Sequence, residues 1–187
     1  MEFKGAEATV TINGEVVKKR ERKSYRHPEL DEKLRRERTA TEARIMEEAR
    51  KHGASVPEVH EIEDYTLTME KAEGKPLKHV IEPGHLEGYG KNVAYMHSAD
   101  IIHGDLTTSN AVLGDELSVI DFGLSFRSHR IEDKAVDIHL LKQVLESSHP
   151  EIADKAWEKF VEGYSEYEDS EKVLEQLEEV ESRGRYK

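Results

Sequence analysis

The chain has no cysteine among its 187 residues, which excludes disulfide bonds, thiolate metal sites and cysteine nucleophiles. It also has no apolar run near the ~18 residues that a membrane-spanning helix needs. The N-terminal MEFKGAEATV lacks the apolar segment of a signal peptide, and the ten histidines show no HExxH-like spacing. We therefore expect a soluble, cytoplasmic protein with no membrane partner.

Internal repeats, low-complexity linkers and signs of a second domain are absent as well. A hydrophobic content of 36% in 187 residues is enough for one folding unit with a lean core. The net charge of −12 is uneven, because residues 18–51 carry a local +5 and the other residues therefore carry −17. Either a solvated helix face or a patch that meets nucleic acid or an acidic partner explains this basic stretch.

Alternating apolar residues on both sides of Asn13-Gly14 predict a β-hairpin with a two-residue turn. The predicted cross-strand pairs are Ile12 with Glu15, Thr11 with Val16, Val10 with Val17 and Thr9 with Lys18. In this register Val10 and Val17 lie on the packed face of the hairpin. Val16 and Lys18 share the other face.

The remaining elements are predicted from apolar spacing and turn residues. A charged helix spans residues 28–52, with a break near Thr39 where the apolar stripe shifts. Two short strands surround the Glu63-Asp64 turn, and a helix follows over residues 82–98. A hairpin then turns at Gly114-Asp115, and three C-terminal segments have helical spacing.

Two polar motifs lie beside apolar runs, HGDLTTSN at residues 103–110 and DFG at residues 121–123. Phosphoryl transfer from ATP needs a divalent metal held by oxygen ligands, and a carboxylate beside the attacking hydroxyl or water. In order and spacing, Asp105 fits that catalytic carboxylate, and Asn110 and Asp121 fit the metal ligands. Alternatively, the two aspartates only form turns.

The other half of such a site is a strand lysine that binds the α- and β-phosphates. Lys18 follows Val16 and Val17 on the second strand of the hairpin, and Val16 is placed to contact adenine. Lys19 and Lys23 are rival candidates. The predicted pairing places Lys19 on the opposite face of the strand, so we favour Lys18.

A helix glutamate should pair with this lysine, and Glu42 lies on the apolar stripe of the predicted helix. Alternatively, Glu42 completes a capping box with Thr39. Met69, Glu70 and Ala72 occupy the segment expected to hydrogen-bond adenine through its backbone.

Longer motifs resemble the small atypical Ser/Thr kinase/ATPase subunit of the KEOPS (EKC) complex, the PRPK family, which is related to the RIO kinases. The motifs that carry the resemblance are GAEA at 5–8, KSYRHPELD at 23–31, RTATEAR at 38–44, HGDLTTSN, IDFGLS at 120–125, IEDKAVD at 131–137 and RGRYK at 183–187. By matching position, the resemblance supports Lys18, Glu42, Asp105, Asn110 and Asp121 as an ATP site.

The resemblance implies an α+β fold, the minimal protein-kinase-like bilobal fold, with a small β-rich N-lobe at 1–72 and a short, mostly helical C-lobe at 73–187. It implies ATP with Mg²⁺, or Mn²⁺, as cofactors. It also implies that the protein assists a threonylcarbamoyl-transferase subunit, other KEOPS subunits and tRNA in forming threonylcarbamoyladenosine.

The sequence departs from ordinary protein kinases in ways that favour ATP hydrolysis or autophosphorylation. It has no G-x-G-x-x-G motif, HGD replaces HRD, and no A-P-E follows DFG. The segment that would hold a peptide substrate is therefore largely missing. Two other functions stay open: a small-molecule phosphotransferase of the aminoglycoside-kinase type, and a nucleotide-binding scaffold without turnover.

Two further groups of residues have open roles. Asp137 opens an apolar helix and either caps it or, as the resemblance suggests, holds the catalytic-loop backbone near His103. Arg183, Arg185 and Lys187 form a basic tail. The tail is either a frayed helix end or, as the resemblance suggests, a contact with tRNA or the partner enzyme.

Overall fold

The structure is a computed structural model and describes residues 2–5 and 8–184. Its N-terminal part is a five-stranded antiparallel sheet with one long helix packed against its last two strands. The elements are β1 (Glu2–Lys4), β2 (Ala8–Asn13), β3 (Glu15–Arg20), α1 (Pro28–Lys51), β4 (Val59–Glu63) and β5 (Thr66–Glu70). The strand order β1-β2-β3-β5-β4 puts β3 in the centre of the sheet.

The C-terminal part is mostly helical. Its elements are β6 (Lys75–Pro76), a 3₁₀ turn (Leu77–His79), α2 (His85–Ser98), β7 (Ile101–Ile102), β8 (Ala111–Leu113), β9 (Leu117–Val119), β10 (Phe126–Arg127), α3 (Ile131–Ser148), α4 (Ala153–Tyr164) and α5 (Ser170–Gly184). The helices α2 and α4 pack so closely that a Cβ on Gly163 would overlap the carbonyl oxygen of Glu87. No helix in the described part of the chain is long and apolar enough to span a bilayer.

The structure has the expected bilobal α+β architecture, and one continuous apolar core joins the two lobes. The predicted strand pair around Glu63-Asp64, the hairpin at Gly114-Asp115 and the three C-terminal helices are confirmed. The predicted lobe boundary between residues 72 and 73 falls in the connection between β5 and β6.

The register predicted for the first hairpin is wrong by one residue. Val10 lies opposite Lys18, and Asn13 lies opposite Glu15. Gly14 has a φ of 77°, a conformation that glycine adopts without strain, so the chain reverses in a tighter turn than the predicted one. Lys18 and Val16 still share a face, but that face carries Val10 rather than the threonines.

The break predicted near Thr39 is also wrong, since α1 is one continuous helix. The Thr39 hydroxyl donates to the carbonyl oxygen of Arg35 at 2.9 Å, which satisfies the hydroxyl inside the helix. Because Thr39 does not begin a helix, the capping-box alternative for Glu42 is excluded. The apolar stripe shifts because the buried residues of the first half of α1 are polar, whereas those of the second half, apart from Glu42, join the apolar core.

Candidate active site

A cluster of charged side chains joins β3, α1 and the DFG segment. The Lys18 ammonium donates to Glu42 Oε1 at 2.6 Å and to Asp121 Oδ1 at 2.7 Å. The side chains of Lys18 and Glu42 are 11% and 3% exposed, whereas Asp121 is 55% exposed. The cluster therefore has a buried side and an open side, and the open side ends at Asp121.

Arg20 is a member of this cluster that the sequence analysis missed. It is buried, and its Nη2 donates to Glu42 Oε2 at 2.5 Å, so Glu42 binds one cation through each oxygen. The signal was present in the sequence, since residues two apart on a strand share a face and Arg20 follows Lys18 by two.

The backbone and the charge of Asp121 both set it apart. Its φ is 64°, in the left-handed region that non-glycine residues seldom occupy and that is often found at functional sites. Partial burial raises the pKa of its carboxyl, but the charge and hydrogen bond of Lys18 and the N–H of Gly123 outweigh that effect. The net result is a lowered pKa, which keeps Asp121 ionised.

Asp105 and Asn110 lie together in the loop between β7 and β8. The Asn110 Nδ2 donates to the Asp105 backbone oxygen at 2.9 Å and to Asp105 Oδ2 at 2.8 Å. The backbone of Asn110 accepts the N–H of Ile120 at 2.9 Å. This last bond joins the loop to the residue that precedes Asp121.

His103 holds the loop against the DFG segment. Its Nε2 lies 3.1 Å from the Ile120 carbonyl oxygen, and its Nδ1 lies 3.2 Å from the Asp105 N–H nitrogen. One neutral tautomer satisfies both contacts, with Nε2–H donating to Ile120 and Nδ1 accepting from Asp105. The ring is fully buried, and its centroid lies 4.9 Å from that of Phe122.

Gly104 has a φ of 80°, and a Cβ there would lie 2.5 Å from the Leu124 carbonyl oxygen. Both the backbone angle and the space therefore require glycine. An arginine at this position, as in an HRD motif, would not fit this loop.

Asp137 binds the backbone of the loop between β7 and β8, instead of capping α3. Its Oδ2 accepts the N–H of His103 at 2.8 Å, and its Oδ1 accepts the N–H of Gly104 at 2.9 Å. Asp137 is in the second turn of α3, and the residue that caps this helix is Arg130. The geometry is the one that the resemblance suggested.

Two buried side chains extend this support, and neither was singled out from the sequence. The Tyr164 hydroxyl lies 2.7 Å from His97 Nδ1, and His97 Nε2 lies 3.3 Å from Asp137 Oδ2. Burial lowers the pKa of His97, so the ring is neutral. Burial raises the pKa of Asp137, but the hydrogen bonds of His97 and of the His103 N–H have the larger, opposite effect, and the pKa is lowered overall. Tyr164 therefore donates to His97, and His97 donates to an ionised Asp137.

The residues expected around adenine lie at the end of the central strands. Val16 is opposite Met69 in the sheet, and Glu70 ends β5. The Glu70 N–H already donates to the Glu58 carbonyl oxygen at 2.8 Å. A backbone contact with adenine would therefore use the Glu70 carbonyl or the backbone of Ala72.

The basic tail lies mostly beyond the residues that the structure describes. Arg183 is exposed, and its guanidinium lies 3.3 Å from Glu132 and 3.4 Å from Glu179. Arg185 and Lys187 lie outside the described residues.

The donor set fits a Mg²⁺ ion that is bound together with a nucleotide. Asn110 uses Nδ2 in its hydrogen bonds, which leaves Oδ1 for a cation, and Lys18 contacts only one oxygen of Asp121. The described residues contain no cluster of three or more His, Cys, Asp or Glu that could hold a metal alone. Mg²⁺ usually takes one or two protein carboxylates and completes its shell with phosphate and water oxygens.

Two similar curated proteins are much longer than this chain. The "probable bifunctional tRNA threonylcarbamoyladenosine biosynthesis protein" of Methanosarcina mazei is 45% identical over 97% of this chain and 35% of its own length. The protein of the same name from Methanococcus vannielii is 42% identical over 98% of this chain and 35% of its own length. The chain thus spans about a third of the length of the curated relatives it matches.

Solved structures share the fold at low identity. The Rio2 kinase of Chaetomium thermophilum, in an ADP/Mg²⁺-phosphoaspartate complex, has a TM-score of 0.65 and 16% identity over 100% of this chain and 71% of that one. WaaP in complex with acyl carrier protein has a TM-score of 0.61 and 15% identity over 97% of this chain and 87% of that one.

The family of this chain follows from a match between its sequence and a known domain family. The RIO domain matches residues 10–154, which include β3, α1, the catalytic loop, the DFG segment and the whole of α3. Lys18, Glu42, Asp105, Asp121 and Asp137 all lie inside that match. The chain therefore belongs to the RIO domain family.

Proposed function

We propose that this chain is an ATP-dependent atypical Ser/Thr kinase/ATPase of a KEOPS-type complex. In this proposal it acts in the cytoplasm and supports a threonylcarbamoyl-transferase subunit in the modification of tRNA. The observation that carries the proposal is the cluster in which Lys18 binds both Glu42 and Asp121. A kinase-like site requires the ion pair between a strand lysine and a helix glutamate, together with a DFG aspartate close enough to hold the metal.

Each residue of the cluster has a role that follows from its position. Lys18 binds the α- and β-phosphates, and Glu42 keeps its ammonium in the cleft. Glu42 stays paired with Arg20 when Lys18 turns towards phosphate, so no buried carboxylate is left without a partner. Val16, Met69, Glu70 and Ala72 surround the adenine.

Asp105 orients the attacking hydroxyl or water and accepts its proton. Its Oδ2 is fixed by the Asn110 amide, which leaves Oδ1 for the nucleophile. Asn110 Oδ1 and Asp121 would hold Mg²⁺, or Mn²⁺ in its place. When bound, the ion supplies positive charge beside the phosphate oxygens.

The short stretch after DFG favours water or the protein's own side chains as the phosphate acceptor. Only residues 124–130 separate Gly123 from α3, and two of them form β10 with β7. An extended peptide has little surface to bind along this stretch. We therefore propose ATP hydrolysis and autophosphorylation as the main activities.

The partners are proposed from the names and lengths of the relatives. The matched relatives are called bifunctional, and this chain accounts for about 35% of their length. The remaining two thirds of those relatives would supply the transferase, which is the partner activity that we propose for this chain. Arg183, Arg185 and Lys187 stay a proposed contact with tRNA or this partner.

Reconstitution tests the proposal. Threonylcarbamoyladenosine formation is measured with the transferase, a threonylcarbamoyl donor and tRNA, with and without this chain, and ATP hydrolysis is followed in the same reactions. We expect the chain to be needed for repeated modification, and Asp121→Asn to remove its effect. If the Asp121→Asn variant supports modification as well as the parent does, the chain is a scaffold without turnover.

The matched control for that variant is Asp64→Asn. Asp64 is 63% exposed, lies in the β4–β5 turn and forms its ion pair with Arg36, which is not a member of the Lys18 cluster. The Asp64→Asn substitution removes the same charge and should leave tRNA modification and ATP hydrolysis unchanged.

A further inference from the structure

The structure divides the basic stretch at residues 18–51 into two parts. On α1, acidic side chains of the helix or of the residues on either side of β4 neutralise several cations. These pairs are Lys33 with Glu37 at 3.8 Å, Arg36 with Glu32 at 3.3 Å and with Asp64 at 3.4 Å, and Arg50 with Glu58 at 3.5 Å. This part of the stretch is the solvated helix face that the sequence allowed.

The second part is the connection between β3 and α1, where the motif KSYRHPELD begins. A buried carboxylate holds this connection in one conformation. Asp31 is completely buried and accepts the Lys23 N–H at 3.1 Å and the Arg35 Nε–H at 2.8 Å, and Arg26 Nη1 lies 3.8 Å away. Burial raises the pKa of Asp31, but these hydrogen bonds and the charges of Arg35 and Arg26 together have the larger, opposite effect. The pKa is lowered overall, so Asp31 stays ionised.

The ordered connection displays one aromatic ring among cations. Tyr25 is 77% exposed, and the Arg26 guanidinium lies 5.3 Å from the centre of its ring. Lys19, near the end of β3, and Arg22, in the connection, precede it in the chain and are exposed, and neither forms an ion pair with any residue that the structure describes. We call Lys19, Arg22, Tyr25 and Arg26 the β3–α1 surface.

We propose that the β3–α1 surface binds unpaired RNA. Tyr25 stacks on a base, and Lys19 and Arg22 contact the phosphates on either side of it. Proteins that bind single-stranded nucleic acid combine stacking aromatic side chains with a cationic path for the backbone. The choice of tRNA as the natural ligand rests on the proposed function.

Charge favours RNA over a protein at this surface. The charged members of the surface, Lys19, Arg22 and Arg26, are all cations, and this combination of cations with one exposed ring suits a polyanion whose bases can stack. The residues outside 18–51 carry a total charge of −17, so a local cationic surface within 18–51 is a part of this chain that would attract a polyanion. A tyrosine side chain has only two χ angles, so it also loses little entropy when it stacks on a base.

The test measures RNA binding by fluorescence anisotropy with the complete chain. The probes are a labelled 12-nucleotide single strand, the duplex of the same sequence and a tRNA transcript. We expect the single strand and the tRNA to bind more tightly than the duplex. Tyr25→Ala should weaken single-strand binding about tenfold, as the loss of one stacked base does. Tyr25→Phe keeps the ring and should bind within twofold of the parent.

Charge is tested separately with two double variants of equal net charge. Lys19→Gln/Arg22→Gln removes two proposed phosphate contacts, so the log–log salt dependence of binding should become shallower by about 1.4, from ~0.7 per contact. Lys33→Gln/Arg36→Gln removes the same charge from paired positions on α1. This control should change neither the affinity nor the salt dependence by more than the error.

Three results would overturn the proposal: no binding of either the single strand or tRNA, equal binding by Tyr25→Ala and the parent, or equal effects of the two double variants. If the Tyr25 variant binds RNA normally but no longer associates with the transferase, the surface is a protein interface instead. ATP hydrolysis measured without RNA separates this inference from the proposed function. A chain that does not hydrolyse ATP, but whose RNA binding still depends on Tyr25, would refute the proposed function and leave the RNA-binding surface supported.

Discussion

The Nζ of Lys18 lies 2.7 Å from Oδ1 of Asp121, which joins the central strand of the sheet to the DFG segment of the helical lobe. The same ammonium lies 2.6 Å from Glu42. Lys18 therefore lies between one buried carboxylate and one exposed carboxylate. A nucleotide that brings phosphates to the open side would compete with Asp121 for Lys18 and free a carboxylate oxygen for the metal.

Replacement of Lys18 should remove most ATP turnover. Lys18→Ala deletes the cation that faces the phosphates, and losses of comparable electrostatic contacts cost ~10²-fold or more. Steady-state ATP hydrolysis at saturating Mg²⁺ measures the effect. Lys19→Ala is the control, because Lys19 is on the opposite face of the same strand and its loss should leave hydrolysis without RNA unchanged.

Arg20 should matter for stability as well as for turnover. Arg20→Met leaves one oxygen of the buried Glu42 without its partner, and breaking a buried ion pair costs about 3–5 kcal/mol. Urea unfolding measures the loss of free energy of unfolding. Arg36→Met also removes an arginine from an ion pair, but from an exposed one, and should cost less than ~1 kcal/mol. Equal losses in the two variants would show that Arg20 does not stabilise Glu42.

The chain of hydrogen bonds from Tyr164 to Asp137 should act on the catalytic loop. In Asp137→Asn, an NH₂ group, which donates, replaces one of the two oxygens that accept from the His103 and Gly104 N–H groups. Turnover should therefore fall at least tenfold, by analogy with other losses of charged hydrogen bonds. Tyr164→Phe removes only the hydroxyl that fixes the His97 tautomer and should lower kcat severalfold with little change in KM for ATP. Nitrogen NMR shifts of His97 report the tautomer directly. An unchanged kcat in Asp137→Asn would leave Asp137 with a purely structural role.

His97 should make stability depend on pH between the ordinary histidine value and its own lowered pKa. In that window the unfolded chain binds a proton that the buried ring does not, so the free energy of unfolding falls as pH falls below about 6.5. One such group contributes a slope of at most ~1.4 kcal/mol per pH unit. Urea unfolding from pH 7.5 to pH 5 should show a smaller slope for His97→Gln than for the parent. His52→Gln, at an exposed position, should keep the parental slope.

The sequence predicted those parts of the site that have a fixed order along the chain. Asp105, Asn110 and Asp121 follow a motif whose spacing is set by one loop and one hairpin, and Lys18 follows from the alternation of a strand. The hairpin register did not follow, because a two-residue Asn-Gly turn and a tighter turn at Gly14 differ only in backbone angles. A shift of one residue changes the partner of Lys18 without changing the face it shares with Val16.

Contacts between distant segments were harder to predict. Arg20 lies in a run of five cations and one acid, and only the position of Glu42 on α1 distinguishes it from its neighbours. His97 and Tyr164 are 67 residues apart, and either one reads as an ordinary core residue of its helix. Their link to Asp137 depends on how α2, α3 and α4 pack, which apolar spacing does not specify.

The central claim is that Asp105, Asp121 and Lys18 form a catalytic ATP site. The most direct test measures Mg·ATP binding and single-turnover hydrolysis in parallel for the parent and for Asp105→Asn, an isosteric change that keeps the loop geometry. Asp105 is assigned to the attacking group and not to the nucleotide, so binding should stay within about threefold while hydrolysis falls ~10²-fold or more, the range for a lost general base. Unchanged hydrolysis in Asp105→Asn, with normal binding, would contradict the account.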